Sequence, residues 1–187
     1  MSFRNTWIAD VLRAAGLPVV EEAGWKSAGR AEIRGPFQGV ILHHTAGPAA
    51  PKGGETPSLN VIKNGRPGLN GPLSQCYLSR KGVWHVVAAG RTNHAGPGKF
   101  DGLTDGNDDF IGAEMENAGD GKDPWPDVQL RSAVKGTAAL LHYLKQPARR
   151  AIGHKEWATP HGRKIDPSFE MEPFRVEVGA AIAALGG

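Results

Sequence analysis

The chain has 187 residues, 40% of them hydrophobic, which is enough for one domain with a core of its own. Its net charge of +3 suits a polyanionic surface without demanding nucleic acid, and no apolar run is long enough to span a membrane. We therefore expect neither a nucleic acid nor a membrane as partner. The single cysteine, Cys76, excludes an internal disulfide, and residues 1–16 lack the pattern of a secretory signal.

Residues 1–37 are predicted to form a helix and an arm that pack on, or precede, a main domain at 38–187. Apolar residues recur at helical spacing over 6–15, namely Trp7, Ile8, Val11 and Leu12. Gly16 and Pro18 end that run. Residues 19–36 are rich in glycine and mixed in charge, so they predict an extended loop.

Residues 38–43, QGVILH, predict a central strand, because an unbroken apolar run is typical of a strand covered on both faces. His43 and His44 lie where this strand ends. Side chains alternate along a strand, so the two histidines cannot face the same site. One is a candidate metal ligand, and the other is a neighbour of the pocket or a core group.

The elements predicted next are short. In order they are a loop at 47–57, a helix at 58–64 capped by Ser58, a loop at 65–72, a hairpin with strands at 76–78 and 83–88, and a loop at 90–110. A loop as long as the last one is usually functional or mobile in a compact domain. It carries Asn93 and His94 in the sequence NHAG.

The sequence FIGAEMEN at 110–117 predicts another strand. Glu114 and Glu116 are two residues apart, so they share one face of it. Burial raises the pKa of a carboxyl group, which suits a general base. The alternative is that one or both glutamates face solvent on an edge strand.

The last third of the chain predicts two helices around a short strand. The first helix, at 127–145 with Asp127 as N-cap, has an apolar stripe of Leu130, Val134, Thr137, Leu141 and Leu144. Residues 151–153 predict a strand that leads to His154. The second helix, at 170–185, has a stripe of Phe174, Val178, Ile182 and Leu185.

His154 and Asp166 are two candidate metal ligands with eleven residues between them. The intervening sequence contains Pro160 and Gly162 and predicts a loop. Two ligands do not complete a zinc site, because a catalytic zinc takes three protein ligands and keeps a fourth position open. The best candidate for the third lies upstream, in VILHHTAG at 40–47.

Taken together, these stretches resemble the zinc-dependent N-acetylmuramoyl-L-alanine amidases, a family shared by phage lysins, bacterial anhydro-muropeptide amidases and peptidoglycan recognition proteins. The matching stretches are VILHHTA (40–46), SQCYLSRKGVWHVVAAGRTNHAG (74–96), FIGAEMEN (110–117) and AIGHKEWATPHGRKIDPSF (151–169). They occur in the family's order and cover most of residues 38–185, whereas residues 1–37 match nothing in it.

The resemblance implies roles for particular residues. His43, His154 and Asp166 correspond to the zinc ligands, Glu114 to the catalytic glutamate, and Lys164 to a lysine that stabilises the oxyanion. His94 corresponds to a histidine that lines the substrate groove, and we expect Asn93 and His44 beside it. The family often has an aromatic residue at the position of Asn93, so the wall of the groove differs there.

The resemblance further implies a mixed central β-sheet flanked by α-helices, with zinc at one edge of the sheet. It implies hydrolysis of the amide bond between N-acetylmuramic acid and L-alanine in bacterial peptidoglycan, by a monomer that acts on the cell wall after its release from the cytoplasm. A non-catalytic peptidoglycan-binding module is the alternative. A zinc endopeptidase is disfavoured because no HExxH motif occurs. The chain most resembles the catalytic domain of a phage endolysin, and a recycling amidase fits nearly as well.

Overall fold

The computed structural model of the protein describes residues 4–49 and 54–186. The loop predicted at 47–57 therefore lies partly outside the described residues. The strands are β1 (Val19–Glu21), β2 (Val40–His44), β3 (Gly65–Arg66), β4 (Leu69–Asn70), β5 (Cys76–Leu78), β6 (Trp84–Val86), β7 (Ile111–Met115) and β8 (Ala151–Gly153). The helices are α1 (Ile8–Ala14), α2 (Leu59–Asn64), α3 (Gly106–Asp109), α4 (Asp127–Tyr143), α5 (His154–Trp157) and α6 (Met171–Leu185), with a 3₁₀ turn at Ala148–Arg150.

Six of these strands form one mixed sheet in the order β1-β6-β5-β7-β2-β8. Strands β5, β7, β2 and β8 run parallel, while β6 is antiparallel to β5 and parallel to β1. Strands β3 and β4 form a separate small hairpin. The predicted mixed sheet flanked by helices is confirmed.

Side chains alternate along β2, so its apolar residues pack into two hydrophobic clusters, one on each face of the sheet. Val40 and Leu42 face the large core, which is closed by α1, α4 and α6. Ile41 faces the opposite side and packs with Phe110 and Trp157 in a smaller cluster. His43 shares the side of Ile41, so it emerges on the face that has less helical cover.

Several local predictions were wrong. Residues 19–21 form a strand rather than a loop, because backbone pairing with β6 stabilises a strand that three residues alone do not predict. Asp127 is the first residue of α4, and Pro126 is its N-cap. The loop at 90–110 contains the one-turn helix α3.

The parallel strands place their carboxyl ends at one edge of the sheet, where ligands bind in open α/β folds. β2 ends at His43 and His44, β7 ends just after Glu114, and β8 leads directly into His154. His43 is in register with Glu114 across β2 and β7. Residues far apart in the sequence therefore meet at this edge.

Candidate active site

Three side-chain atoms converge at the edge of the sheet. Nδ1 of His43 lies 2.9 Å from Nδ1 of His154 and 3.0 Å from Oδ2 of Asp166. The same Oδ2 lies 2.9 Å from Nδ1 of His154. All three residues are buried. The structure thus brings together the three residues that the resemblance implied as zinc ligands.

The outer nitrogens of the two histidines contact acceptors that set their tautomers. Nε2 of His154 donates to the carbonyl oxygen of Ala95 at 2.8 Å. Nε2 of His94 donates to the carbonyl of Phe110 at 3.2 Å, and Nδ1 of His94 lies 3.1 Å from Nε2 of His43. A neutral His94 that donates at Nε2 accepts at Nδ1, so His43 donates from Nε2. Both ligand histidines then direct an Nδ1 lone pair inward.

The charges of the cluster favour a bound cation. Burial, followed by the neighbouring His154, lowers the pKa of His43 to about 4, so the ring is neutral at pH 7. Burial also keeps the pKa of His94 well below its ordinary value. With the tautomers given above, the Asp166 carboxylate faces the Nδ1 lone pairs of His43 and His154.

This donor set fits zinc. Zinc is bound by histidine nitrogen and carboxylate oxygen at about 2.0–2.2 Å in tetrahedral geometry, which separates neighbouring ligand atoms by about 3.3 Å. The observed separations of 2.9–3.0 Å are slightly shorter, so small outward shifts of the rings would accommodate the ion. Metal-bound histidines usually donate their second ring nitrogen to a carbonyl or a similar acceptor, as both do in this protein.

Glu114 lies beside the cluster, on the neighbouring strand and in register with His43. Its Oε2 is buried and has no hydrogen-bond partner among the described residues. Burial, and then the negative charge of Asp166, raises the pKa of this carboxyl group well above its ordinary value. A buried carboxylate oxygen without a partner is rare, and the raised pKa of such a group is typical of one that exchanges protons.

Glu116 differs sharply from Glu114, although the two share a face. Its Oε1 accepts hydrogen bonds from the hydroxyls of Thr45 and Ser58 at 2.9 and 3.1 Å. Its Oε2 accepts from the Tyr77 hydroxyl at 2.6 Å and the Ser58 amide at 3.1 Å. All four contacts are internal and the side chain is 0% exposed. Glu116 is therefore a structural anchor and has no free oxygen for a substrate.

A cleft of about 1010 Å³ opens above the ligands. Lys164, Asn93 and His44 all line it, as do Glu114 and part of the His94 ring. The amide of Asn93 is held by the carbonyl of Asn70 at 2.9 Å. His44 faces away from the three ligand atoms, and a side chain at Gly119 would clash with its ring. The substrate-binding roles of His94, Asn93 and His44 remain predictions.

The profile of the N-acetylmuramoyl-L-alanine amidases matches residues 34–169, which is most of the chain. The chain belongs to this family. None of the curated proteins that were searched is similar enough to count as a match.

The amidase is also similar in fold to solved structures. It aligns with a selenomethionine derivative of AmpD at 22% identity and a TM-score of 0.62, over 86% of this chain and 93% of that one. It aligns with the Clostridium intestinale endolysin LysCS, an N-acetylmuramoyl-L-alanine amidase, at 14% identity and a TM-score of 0.61, over 86% and 94%.

A third similar structure contains a ligand. It is the amidase AmiD from E. coli in complex with the substrate anhydro-N-acetylmuramic acid-L-Ala-D-gamma-Glu-L-Lys, at 18% identity and a TM-score of 0.60. The alignment covers 80% of this chain but 60% of AmiD. At these identities the likeness establishes the fold alone.

In the part of the amidase that the structure describes, no helix is long and apolar enough to cross a membrane.

Sequence reasoning missed the residues that hold the site in place. The side chain of Asn107 accepts hydrogen bonds from the backbone amides of His94 and Ala95, each at 2.8 Å. A Cβ at Gly112 would lie 2.7 Å from the ring of His94, so β7 needs a glycine there. The motif IGAE contained this glycine, but only the fold shows which ring occupies the space.

Proposed function

We propose that this amidase is zinc-dependent and hydrolyses the amide bond between the lactyl group of N-acetylmuramic acid and L-alanine in bacterial peptidoglycan. One observation carries the proposal: three candidate ligand atoms converge within 3.0 Å of one another beside Glu114, whose buried Oε2 has no hydrogen-bond partner among the described residues. Family membership supports the choice of bond. When held by His43, His154 and Asp166, zinc supplies a Lewis acid that polarises the amide carbonyl and lowers the pKa of a water toward ~7.

The protein's own groups perform the proton transfers. Glu114 accepts a proton from the attacking water on its unpartnered Oε2, which its raised pKa favours. The same carboxyl group then returns that proton to the leaving nitrogen of L-alanine. Lys164 lines the same cleft and stabilises the negative charge that develops on the carbonyl oxygen.

The electrostatics of the cleft suit an anionic substrate. Arg66, Arg163 and Lys164 all line it and contribute positive charge. Muropeptides carry carboxylates along the peptide stem, so these cations favour their binding. All the proposed ligands and Glu114 come from a single chain, and we propose accordingly that a monomer is active, at the bacterial cell wall.

Digestion of purified peptidoglycan followed by mass spectrometry tests the proposal. We expect soluble stem peptides with a free N-terminal L-alanine, together with glycan whose muramic acid has an unsubstituted lactyl carboxylate. The isosteric variant Glu114→Gln is the matched control and should release neither product.

Other outcomes would overturn the proposal. Binding to the wall without any product would indicate a non-catalytic recognition module. Cleavage within the stem peptide would indicate a zinc endopeptidase.

A further inference from the structure

Helix α2 is a wall of the cleft, yet it has only six residues. Ser58, Val61 and Ile62 line the cleft on this side. A helix this short has no stability of its own in water, so its position depends on contacts with the rest of the protein. Ile62 supplies one such contact by packing against Leu73 in a small cluster.

The N-terminal end of α2 is held by Glu116. Both the amide and the hydroxyl of Ser58, which precedes the first helical residue, donate to its carboxylate at 3.1 Å. A carboxylate at this end also interacts favourably with the free amides of the first turn. This anchor belongs to the part of the chain that matches the amidase family.

The C-terminal end of α2 is held by a residue outside that match. Lys63, in the last turn, donates to Oε2 of Glu22 at 2.6 Å. The other oxygen of Glu22 lies 2.9 Å from Nδ1 of His85 on β6. The Glu22 side chain is 13% exposed and that of Lys63 is 32% exposed, so solvent screens the pair only in part.

The arm that carries Glu22 is fixed to the sheet. Glu22 directly follows β1, which pairs with β6, and its backbone amide donates to the carbonyl of Val86 at 3.0 Å. The family match begins at residue 34, so neither β1 nor Glu22 belongs to it. Although burial raises the pKa of the Glu22 carboxyl, the contacts with Lys63 and His85 hold it below its ordinary value.

We infer that the N-terminal arm is a working part of the substrate cleft: Glu22 is a positioning residue that holds α2 in place through Lys63. The inference rests on the proposed function for its substrate, but the contact itself does not depend on it. Release of Lys63 lets the C-terminal end of α2 move and weakens the wall against which the substrate binds. The ligand cluster and Glu114 lie on other elements of the fold and stay unchanged.

The test compares Glu22→Gln with Glu21→Gln. Glu21 is the matched control, because it is the adjacent residue, at the end of β1, but bonds to Trp25 and Arg13 rather than to α2. For Glu22→Gln we expect KM on a muramyl-peptide to rise about three- to ten-fold, with kcat and zinc content within two-fold of wild type. Hydrogen exchange of the amides in residues 59–64 should accelerate by a similar factor.

The double variant Glu22→Gln/Lys63→Met separates this role from general stability. If Glu22 acts through Lys63, Lys63→Met reproduces the rise in KM and the double variant adds nothing to it. Additive effects, or a loss of kcat and melting temperature with KM unchanged, would refute the positioning role.

Failure of the proposed function gives a different result. If wild type does not turn over the muramyl-peptide, the exchange measurement alone decides the role of Glu22. Faster exchange in Glu22→Gln but not in Glu21→Gln would uphold it, and equal exchange in both would reject it.

Discussion

Changing Glu114 to glutamine should affect mainly turnover, whereas changing Glu116 to glutamine should affect mainly stability. Glu114 has a buried oxygen without a partner and a raised pKa, so its charge destabilises the folded protein at neutral pH. Glu114→Gln removes that charge without changing the shape of the side chain. We expect the melting temperature to stay the same or to rise, zinc to remain bound, and turnover to fall by roughly 10²–10⁴-fold, as for loss of a general base.

For Glu116→Gln the structure predicts a moderate loss of stability instead. The Ser58 amide can only donate, so the oxygen of the new amide must remain on Oε2, where it also accepts from Tyr77. The new NH₂ group then replaces Oε1 and meets the hydroxyls of Thr45 and Ser58, both of which can rotate to accept. Every hydrogen-bond partner stays paired, and the loss comes from the charged character of four hydrogen bonds and from the ion pair between Oε1 and Arg80 at 3.9 Å, about 1–3 kcal/mol in all.

Thermal unfolding and turnover on a muramyl-peptide, with zinc content measured in parallel, check both variants. We expect Glu116→Gln to melt several degrees lower and to keep turnover within about ten-fold of wild type. If Glu116→Gln abolished hydrolysis while Glu114→Gln remained active, the assignment of the base would be wrong. A large loss of stability in Glu114→Gln would refute the view that its carboxylate has no partner.

Four further predictions follow from the geometry of the ligands and the cleft. His43→Ala should lose zinc, whereas His44→Ala should retain it, because His44 faces away from the cluster; elemental analysis of both variants would show the reverse if the strand register were wrong. His94→Phe keeps an aromatic ring but removes the nitrogen that accepts from Nε2 of His43. Zinc affinity measured by chelator competition should therefore fall about 10–100-fold. An unchanged affinity would contradict the tautomer assignment. Lys164→Met should lower kcat by about 10²–10³-fold with zinc retained, and a change in KM alone would place the lysine in binding instead. The pKa of His43 is lowered from 6.5 to about 4, so between those pH values the unfolded chain binds a proton there that the folded chain does not. The metal-free protein should therefore lose stability as pH falls from 6.5 to about 4. The free energy of unfolding in urea at both pH values checks this, and equal values would contradict it.

Local patterns indicated two of the three proposed ligands, because each lies at the end of a predicted strand. His43 ends an apolar run and His154 follows a short strand, so parallel pairing brings both to one edge of the sheet. Alternation correctly separated His43 from His44. The same rule could not distinguish Glu114 from Glu116, since both face one side and their difference lies in partners from other parts of the chain.

The remaining features depend on long-range contacts that no local pattern encodes. β1 is a strand only because β6 offers it an edge, and the role of His94 depends on a carbonyl at Phe110 and a ring at His43. Ser58 was correctly expected to precede a helix, but its hydroxyl bonds to Glu116 and does not cap α2. In each case contacts with a distant residue outweigh the local sequence preference.

Titration of zinc into chelator-stripped protein, with the release of N-terminal L-alanine from peptidoglycan as readout, tests the proposed zinc dependence most directly. We predict no release from the stripped protein and full recovery at one zinc per chain, with no recovery in a His154→Ala variant. Full activity in protein that contains no measurable zinc, or recovery that needs no intact His154, would contradict the account.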